Sequence, residues 1–238
     1  MHGGVDEPAL AADGVSVAYG GRPALEDVSF ALQPGELVAL VGPNGAGKTS
    51  LFKAALGLVP HRGEIIVHGR KRHALAYVPQ RLDVELDFPI TTGQVVADGR
   101  RPYRRAWRGL GTADRQAVAR ALSRVGLDGL ERRAVGELSG GQLQRALVAR
   151  ALAQEADVLL LDEPLAGVDA SACEALVDLF EQLAAAGTAL LVSTHDLALV
   201  RRRFARCIAV NRRLVGDGAP DDVLAPEELE HFFLPAHA

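Results

Sequence analysis

The stretch Gly42-Pro43-Asn44-Gly45-Ala46-Gly47-Lys48-Thr49 restricts the possible folds of this chain more than any other segment. It fits the spacing G-x-x-x-x-G-K-[ST] at every fixed position. Residues 36–41 before it form a short apolar run of strand length, and residues 50–56 after it read as a helix. A strand that passes through a glycine loop directly into a helix is a building unit of α/β folds. Glycines let successive backbone N–H groups turn inward around an anion, and the helix start adds partial positive charge at the same point. In such a loop Lys48 would reach the β- and γ-phosphates of a nucleotide, and the Thr49 hydroxyl would hold Mg²⁺.

The bulk properties agree with an ordinary folded domain. A chain of 238 residues with 48% hydrophobic and 24% charged content can bury a core without covalent staples. A net charge of -4 gives no global field for nucleic acid, which is not expected as a partner. Cys173 and Cys207 fit a reducing compartment and form no metal-binding spacing. No apolar run reaches the ~18 residues of a membrane helix. Asp6, Glu7 and Asp13 interrupt the N-terminus, so no secretory leader is expected there.

Residues 14–41 read as strand runs joined by turns at Gly20-Gly21 and Pro34-Gly35, which predicts an antiparallel patch beside the loop. Residues 63–67 and 74–78 are further strand candidates. From about 91 to 154 the pattern turns helical, with Thr112 as an N-cap, Val118, Leu122 and Val125 on one face, and Gly126 at the close. A second helix follows Ser139-Gly140. The run 157–161, a helix stripe at Leu176, Leu179, Phe180 and Leu183, and the run 189–193 then form a βαβ unit. The expected class is α/β: one domain over 8–236, with a core of about 8–90 and 155–236 and a helical subdomain of about 91–154.

Asp162-Glu163 ends the apolar run at 158–161, and ligands of open α/β sheets gather at the carboxyl ends of strands. Beside a phosphate loop, Asp162 would hold Mg²⁺ and Glu163 would polarise the attacking water. His195 follows the next buried strand and could reach the same phosphates; taken by itself, it fits better a histidine at a helix start with no chemical role. Ser139 is a natural N-cap, and Gly140, Gly141 and Gln142 open the next helix. From the residues alone, an ordinary cap and a second anion site remain equally open there.

Together these segments resemble the nucleotide-binding subunits of ABC transporters over nearly the full length. Leu138-Ser139-Gly140-Gly141-Gln142-Leu143-Gln144-Arg145 is similar to the family's signature motif, and Gln80 in Tyr77-Val78-Pro79-Gln80 to its Q-loop. The 158–163 segment resembles the Walker B strand with its catalytic glutamate. Asp169 resembles the D-loop aspartate, His195 the switch histidine, and Tyr19 the aromatic that stacks on adenine. The resemblance implies a RecA-like P-loop core with an antiparallel β subdomain and a helical subdomain. It implies ATP and Mg²⁺ as cofactors, with ATP held by Tyr19, by Gly42 through Ser50, and by Asp162 and Asp169. Thr49, Gln80 and Asp162 would surround Mg²⁺, and Lys48, Gln80, Glu163 and His195 would serve catalysis. It further implies a head-to-tail homodimer in which Ser139 through Gln142 of one copy face the ATP of the other. Through a permease dimer, the pair would sit at the cytoplasmic face of the membrane.

Glu163-Pro164-Leu165-Ala166-Gly167-Val168-Asp169-Ala170 departs from the commonest D-loop and is similar to that of zinc and manganese importer ATPases. Gln80-Arg81 followed by Asp87-Phe88-Pro89, and Asn211-Arg212-Arg213-Leu214, resemble the same group. That group implies an extracytoplasmic solute-binding protein and a metal ion that never touches this chain. The alternatives are import of iron chelates or another small solute, or a soluble ABC ATPase outside transport. Arg100, Arg101, Arg104, Arg105 and Arg108, with Tyr103 and Trp107, read as a solvated basic loop or as a segment near the permease and anionic lipid.

Overall fold

Two kinds of strand pattern separate into two sheets. The computed structural model describes residues 7–69, 74–80, 90–103 and 109–225. Strands β1 (Leu10–Tyr19) and β2 (Arg22–Leu32) form an antiparallel hairpin across the two-residue turn Gly20-Gly21. Next come β3 (Leu37–Val41), helix α1 (Lys48–Ala55), β4 (Arg62–Val67) and β5 (Leu75–Val78). Among the described residues, three α-helices then follow: α2 (Thr92–Asp98), α3 (Thr112–Arg124) and α4 (Gly140–Ala153). The described residues close with β6 (Val158–Asp162), α5 (Ala170–Ala185), β7 (Ala189–Ser193), α6 (Leu197–Arg203), β8 (Arg206–Asn211), β9 (Arg213–Gly218) and α7 (Pro220–Val223).

The larger sheet runs β5-β6-β7-β3-β8-β9, parallel except for the antiparallel edge strand β9. Its parallel strands are apolar on both faces because both are covered. Val38, Leu40, Val158, Leu160, Ala189 and Leu191 point to one core with α1 and the hairpin. Ala39, Val41, Leu159, Leu161, Leu190 and Val192 point to the other, which continues through Val95, Leu122 and Leu147 of the inserted helices. The period-two alternation of a strand makes this division.

Two expectations need correction. The antiparallel sheet is β2-β1-β4, so its third strand comes from residues 62–67 rather than from the run before the phosphate loop. That run, β3, is buried at four of its five positions, and only the middle of a covered sheet provides such an environment. Thr112 is the first residue of α3, not its cap. Gly111 holds the cap position and donates its N–H to Asp114 Oδ2 at 3.1 Å. Gly126 does stand just past the helix end. Helix α4 begins at Gly140 with Ser139 as its N-cap.

The inserted helices are fixed to the sheet edge by polar bonds as well as by packing. Gln154 Nε2 donates to the Leu75 carbonyl at 2.7 Å, and Arg150 Nη2 to the Tyr77 carbonyl at 3.3 Å. Arg100 does not lie in a solvated loop. Its side chain is only 8% exposed, with Nε 3.0 Å from Asp114 and Nη1 2.9 Å from Glu155, and the guanidinium lies 4.2 Å from the Tyr103 ring centre. Arg101 is exposed and pairs with Asp98 at 3.4 Å. Arg104, Arg105, Trp107 and Arg108 fall outside the described residues, as do Arg81, Asp87, Phe88 and Pro89.

Candidate active site

The parallel strands end together, and the polar groups of their carboxyl ends meet beside the glycine loop. Gly47 caps α1 at φ 102, a left-handed conformation that side-chain-bearing residues rarely adopt. A Cβ there would lie 2.4 Å from Leu25 Cδ2, and one on Gly42 would lie 2.2 Å from the Val210 carbonyl oxygen. Glycine at these two positions therefore lets the loop pass close under the hairpin and β8. No side chain caps the start of α1 and no acidic residue occupies its first turn, so its first amides remain available to an anion.

Lys48 is only 7% exposed. Its ammonium donates to the Gly42 carbonyl at 2.7 Å and the Pro43 carbonyl at 3.2 Å, closing the loop on itself. Burial pulls its pKa below the usual lysine value, and the Glu163 and Asp162 carboxylates oppose that shift. The two acidic groups and the loop thus share one electrostatic environment.

Asp162 lies at the centre of that environment and is buried. Thr49 Oγ1 donates to its Oδ2 at 2.7 Å, and the Tyr77 hydroxyl to the same oxygen at 3.4 Å. Ser193 Oγ donates to Oδ1 at 2.7 Å. Burial, and after it the Asp162 carboxylate, raise the pKa of the Tyr77 phenol, which keeps its O–H as a donor. Tyr77 also meets Phe52 edge to face, with ring centres 6.1 Å apart. A threonine hydroxyl 2.7 Å from a carboxylate is a hard-oxygen donor set of the kind that suits Mg²⁺. Nothing in that chemistry conflicts with the metal.

Glu163 occupies the left-handed region at φ 48, a strained setting of the kind that clusters at functional sites. Its side chain is 14% exposed and accepts from Gln80 Nε2 at 2.6 Å. His195 Nδ1 lies 4.0 Å away, on a side chain that is 72% exposed. A cleft of about 570 Å³ opens between the loops after β6 and β7, lined by Glu163, Gly167, Val168, Ser193, His195 and Arg202.

The structure therefore brings Lys48, Thr49, Gln80, Asp162, Glu163 and His195 together from four separate segments. Tyr19 stands at the end of β1, 47% exposed. Ser139 and Gln142 bond reciprocally, each side chain to the other's backbone N–H, at 3.2 and 3.0 Å. Asp169 caps α5, accepting from the Ala172 N–H at 3.0 Å and the Ser171 hydroxyl at 2.7 Å, and the Ala172 bond leads in lowering its pKa. Within one chain these side chains are helix caps. Gly141 lies against the Gly167-Val168 backbone. Ser193 and Tyr77 carry no role in the sequence reading. The only trace of Ser193 is a polar residue closing an otherwise apolar strand.

A sequence model of the ABC transporter family matches residues 25–166, a span that includes the loop, Gln80, the Ser139 segment and Asp162-Glu163. The chain belongs to the ABC transporter family. It is 41% identical to the manganese transport system ATP-binding protein MntA of Synechocystis, over 94% of this chain and 89% of that one. It is 38% identical to the manganese transport system ATP-binding protein MntB of Halalkalibacterium halodurans, over 92% and 90%. It is 40% identical to YfeB of Yersinia pestis, described as a chelated iron transport system protein, over 95% and 79%. Among solved structures it is similar to the ATP-binding subunit of an ABC transporter, at TM-score 0.78 and 27% identity over 97% and 95%. It also shares its fold with an ATP-binding cassette in the ADP conformation, at TM-score 0.80 and 21% identity over 94% and 98%. This ABC ATPase is a nucleotide-binding subunit of a membrane-transport complex. Among the described residues, no helix is long and apolar enough to cross a membrane.

Proposed function

We propose that this chain is the ATP-hydrolysing subunit of an importer for a divalent metal ion. Manganese is the best-supported ion, and zinc is the alternative within the same group. The observation that carries the catalytic half is the joining of Glu163 to Gln80 at 2.6 Å, beside an Asp162 already bonded to Thr49. The metal assignment is supported by relatives at 38–41% identity that are named for manganese transport. The similarity to YfeB supports a second reading, import of chelated iron.

In this reading Lys48 leaves the Gly42 and Pro43 carbonyls and donates to the β- and γ-phosphates. Tyr19 stacks on adenine. Thr49, Asp162 and Gln80 would hold Mg²⁺, which when bound neutralises charge on the phosphate oxygens. Glu163, oriented by Gln80, accepts a proton from the attacking water, and His195 contacts the γ-phosphate. Ser139 and Gly141 of a second, head-to-tail copy complete the site, so bound ATP favours the closed pair and hydrolysis releases it. Residues 91–154 act as the helical subdomain that meets a permease dimer at the cytoplasmic face of the membrane. An extracytoplasmic binding protein delivers the ion. The test is Glu163→Gln: it keeps ATP affinity while turnover falls by at least ~100-fold. Turnover within ~3-fold of wild type would remove Glu163 from the chemistry.

A further inference from the structure

Ser193 ends strand β7 and is fully buried. That strand lies between β6 and β3, and its register sets Ser193 directly beside Asp162 on one side and Leu40, just before the phosphate loop, on the other. A hydroxyl has one proton to give and lone pairs to receive with. Ser193 commits both functions to consecutive residues. Its Oγ donates to Asp162 Oδ1 at 2.7 Å and accepts the Glu163 N–H at 2.8 Å.

These two bonds govern different things. The first fixes the rotation of the Asp162 carboxylate, leaving Oδ2 for Thr49 and Tyr77. The second holds the Glu163 amide while that residue occupies φ 48, a conformation an unrestrained glutamate would leave. The direction of the Glu163 side chain, and so its 2.6 Å bond from Gln80, depends on that backbone setting. A single hydroxyl therefore bonds to both consecutive acidic residues, to the carboxylate of one and to the backbone of the other.

We propose that Ser193 is a positioning residue for hydrolysis, acting through Asp162 and Glu163 and touching neither nucleotide nor water. The inference rests on the reading of Asp162 as a Mg²⁺ holder and Glu163 as the base. Its distinctive consequence is that loss of the hydroxyl spares nucleotide affinity while impairing both turnover and metal retention.

The experiment compares wild type with Ser193→Ala, Ser193→Cys and Ser193→Thr in the full-length chain. Phosphate release is measured with ATP and Mg²⁺, and Mn²⁺ binding by electron paramagnetic resonance with a non-hydrolysable ATP analogue. The Ala and Cys variants should lose at least ~10-fold in kcat with KM for ATP within ~3-fold. They should also bind Mn²⁺ at least ~5-fold more weakly while binding the analogue without metal as wild type does. Thr keeps the hydroxyl and should stay within ~3-fold of wild type in both readouts. A folded Ala or Cys variant with kcat and Mn²⁺ affinity within ~2-fold of wild type overturns the proposal. If Ala fails to fold, the nearly isosteric Cys variant decides on the same limits. A wild-type chain that releases no phosphate overturns the reading of the site instead, so the two failures are distinguishable.

Discussion

Asp162 shows how a site is assembled from single residues. Three hydroxyls, from Thr49, Tyr77 and Ser193, converge on one buried carboxylate. Tyr77→Phe removes only the phenolic oxygen and preserves the ring that packs on Phe52. The lost bond is long, so stability should fall by no more than about 1 kcal/mol by thermal unfolding, while half-activating Mg²⁺ rises ~3-fold. Unchanged metal dependence would reduce Tyr77 to packing. Lys48, Thr49, Asp162 and Glu163 were legible in the sequence because their spacing to a strand end or a glycine loop is local. Tyr77 and Ser193 were not legible. They reach Asp162 from 85 and 31 residues away, and only the strand order β5-β6-β7 makes them its neighbours.

Elements are joined by buried charge as well as by apolar faces. Arg100, at the end of α2, ties the start of α3 through Asp114 to the end of α4 through Glu155 and the Ala153 carbonyl. Arg100→Met keeps the volume but leaves both carboxylates without that partner. Because Glu155 is partly exposed, the loss should be about 2–3 kcal/mol, lowering Tm by roughly 6–10 °C, and calorimetry would detect it. A change below about 0.5 kcal/mol would mean that the cluster is solvated in solution. On α6, Arg203 pairs with Glu174, Asp178 and Glu181 along α5. That clasp joins the helix after His195 to the helix capped by Asp169. Helices α1, α3, α4 and α5 and the hairpin were readable from periodicity and turn residues. Residues 63–67 were readable as a strand but not as the third strand of the antiparallel sheet, because β4 pairs with β1 across more than forty residues of chain that includes β3 and α1. The cap of α3 was misplaced by one residue because a glycine cap leaves no side-chain signal.

At the scale of the whole molecule, the Ser139 segment separates a single-chain account from an assembled one. Within this chain Ser139 is a satisfied N-cap for α4, bonded to Gln142. In the proposed pair, the same helix start faces the γ-phosphate bound by the other copy, where a charge from the backbone dipole is stabilising. Ser139→Arg should leave ATP binding by the isolated chain within ~3-fold while abolishing ATP-driven pairing, because a long cation then fills the contact. Normal pairing in that variant would rule out the contact across copies. The resemblance carried this prediction. Residue patterns alone left the cap and the anion site equally open, since a second subunit leaves no periodicity in a sequence.

The most direct measurement is the mass in solution of the Glu163→Gln chain, by light scattering, in ATP and then in ADP. With ATP trapped unhydrolysed between two copies, the mass should be twice the 25.2 kDa of the chain, and in ADP it should return to a single chain. A variant that binds ATP yet remains at the single-chain mass would contradict the shared site.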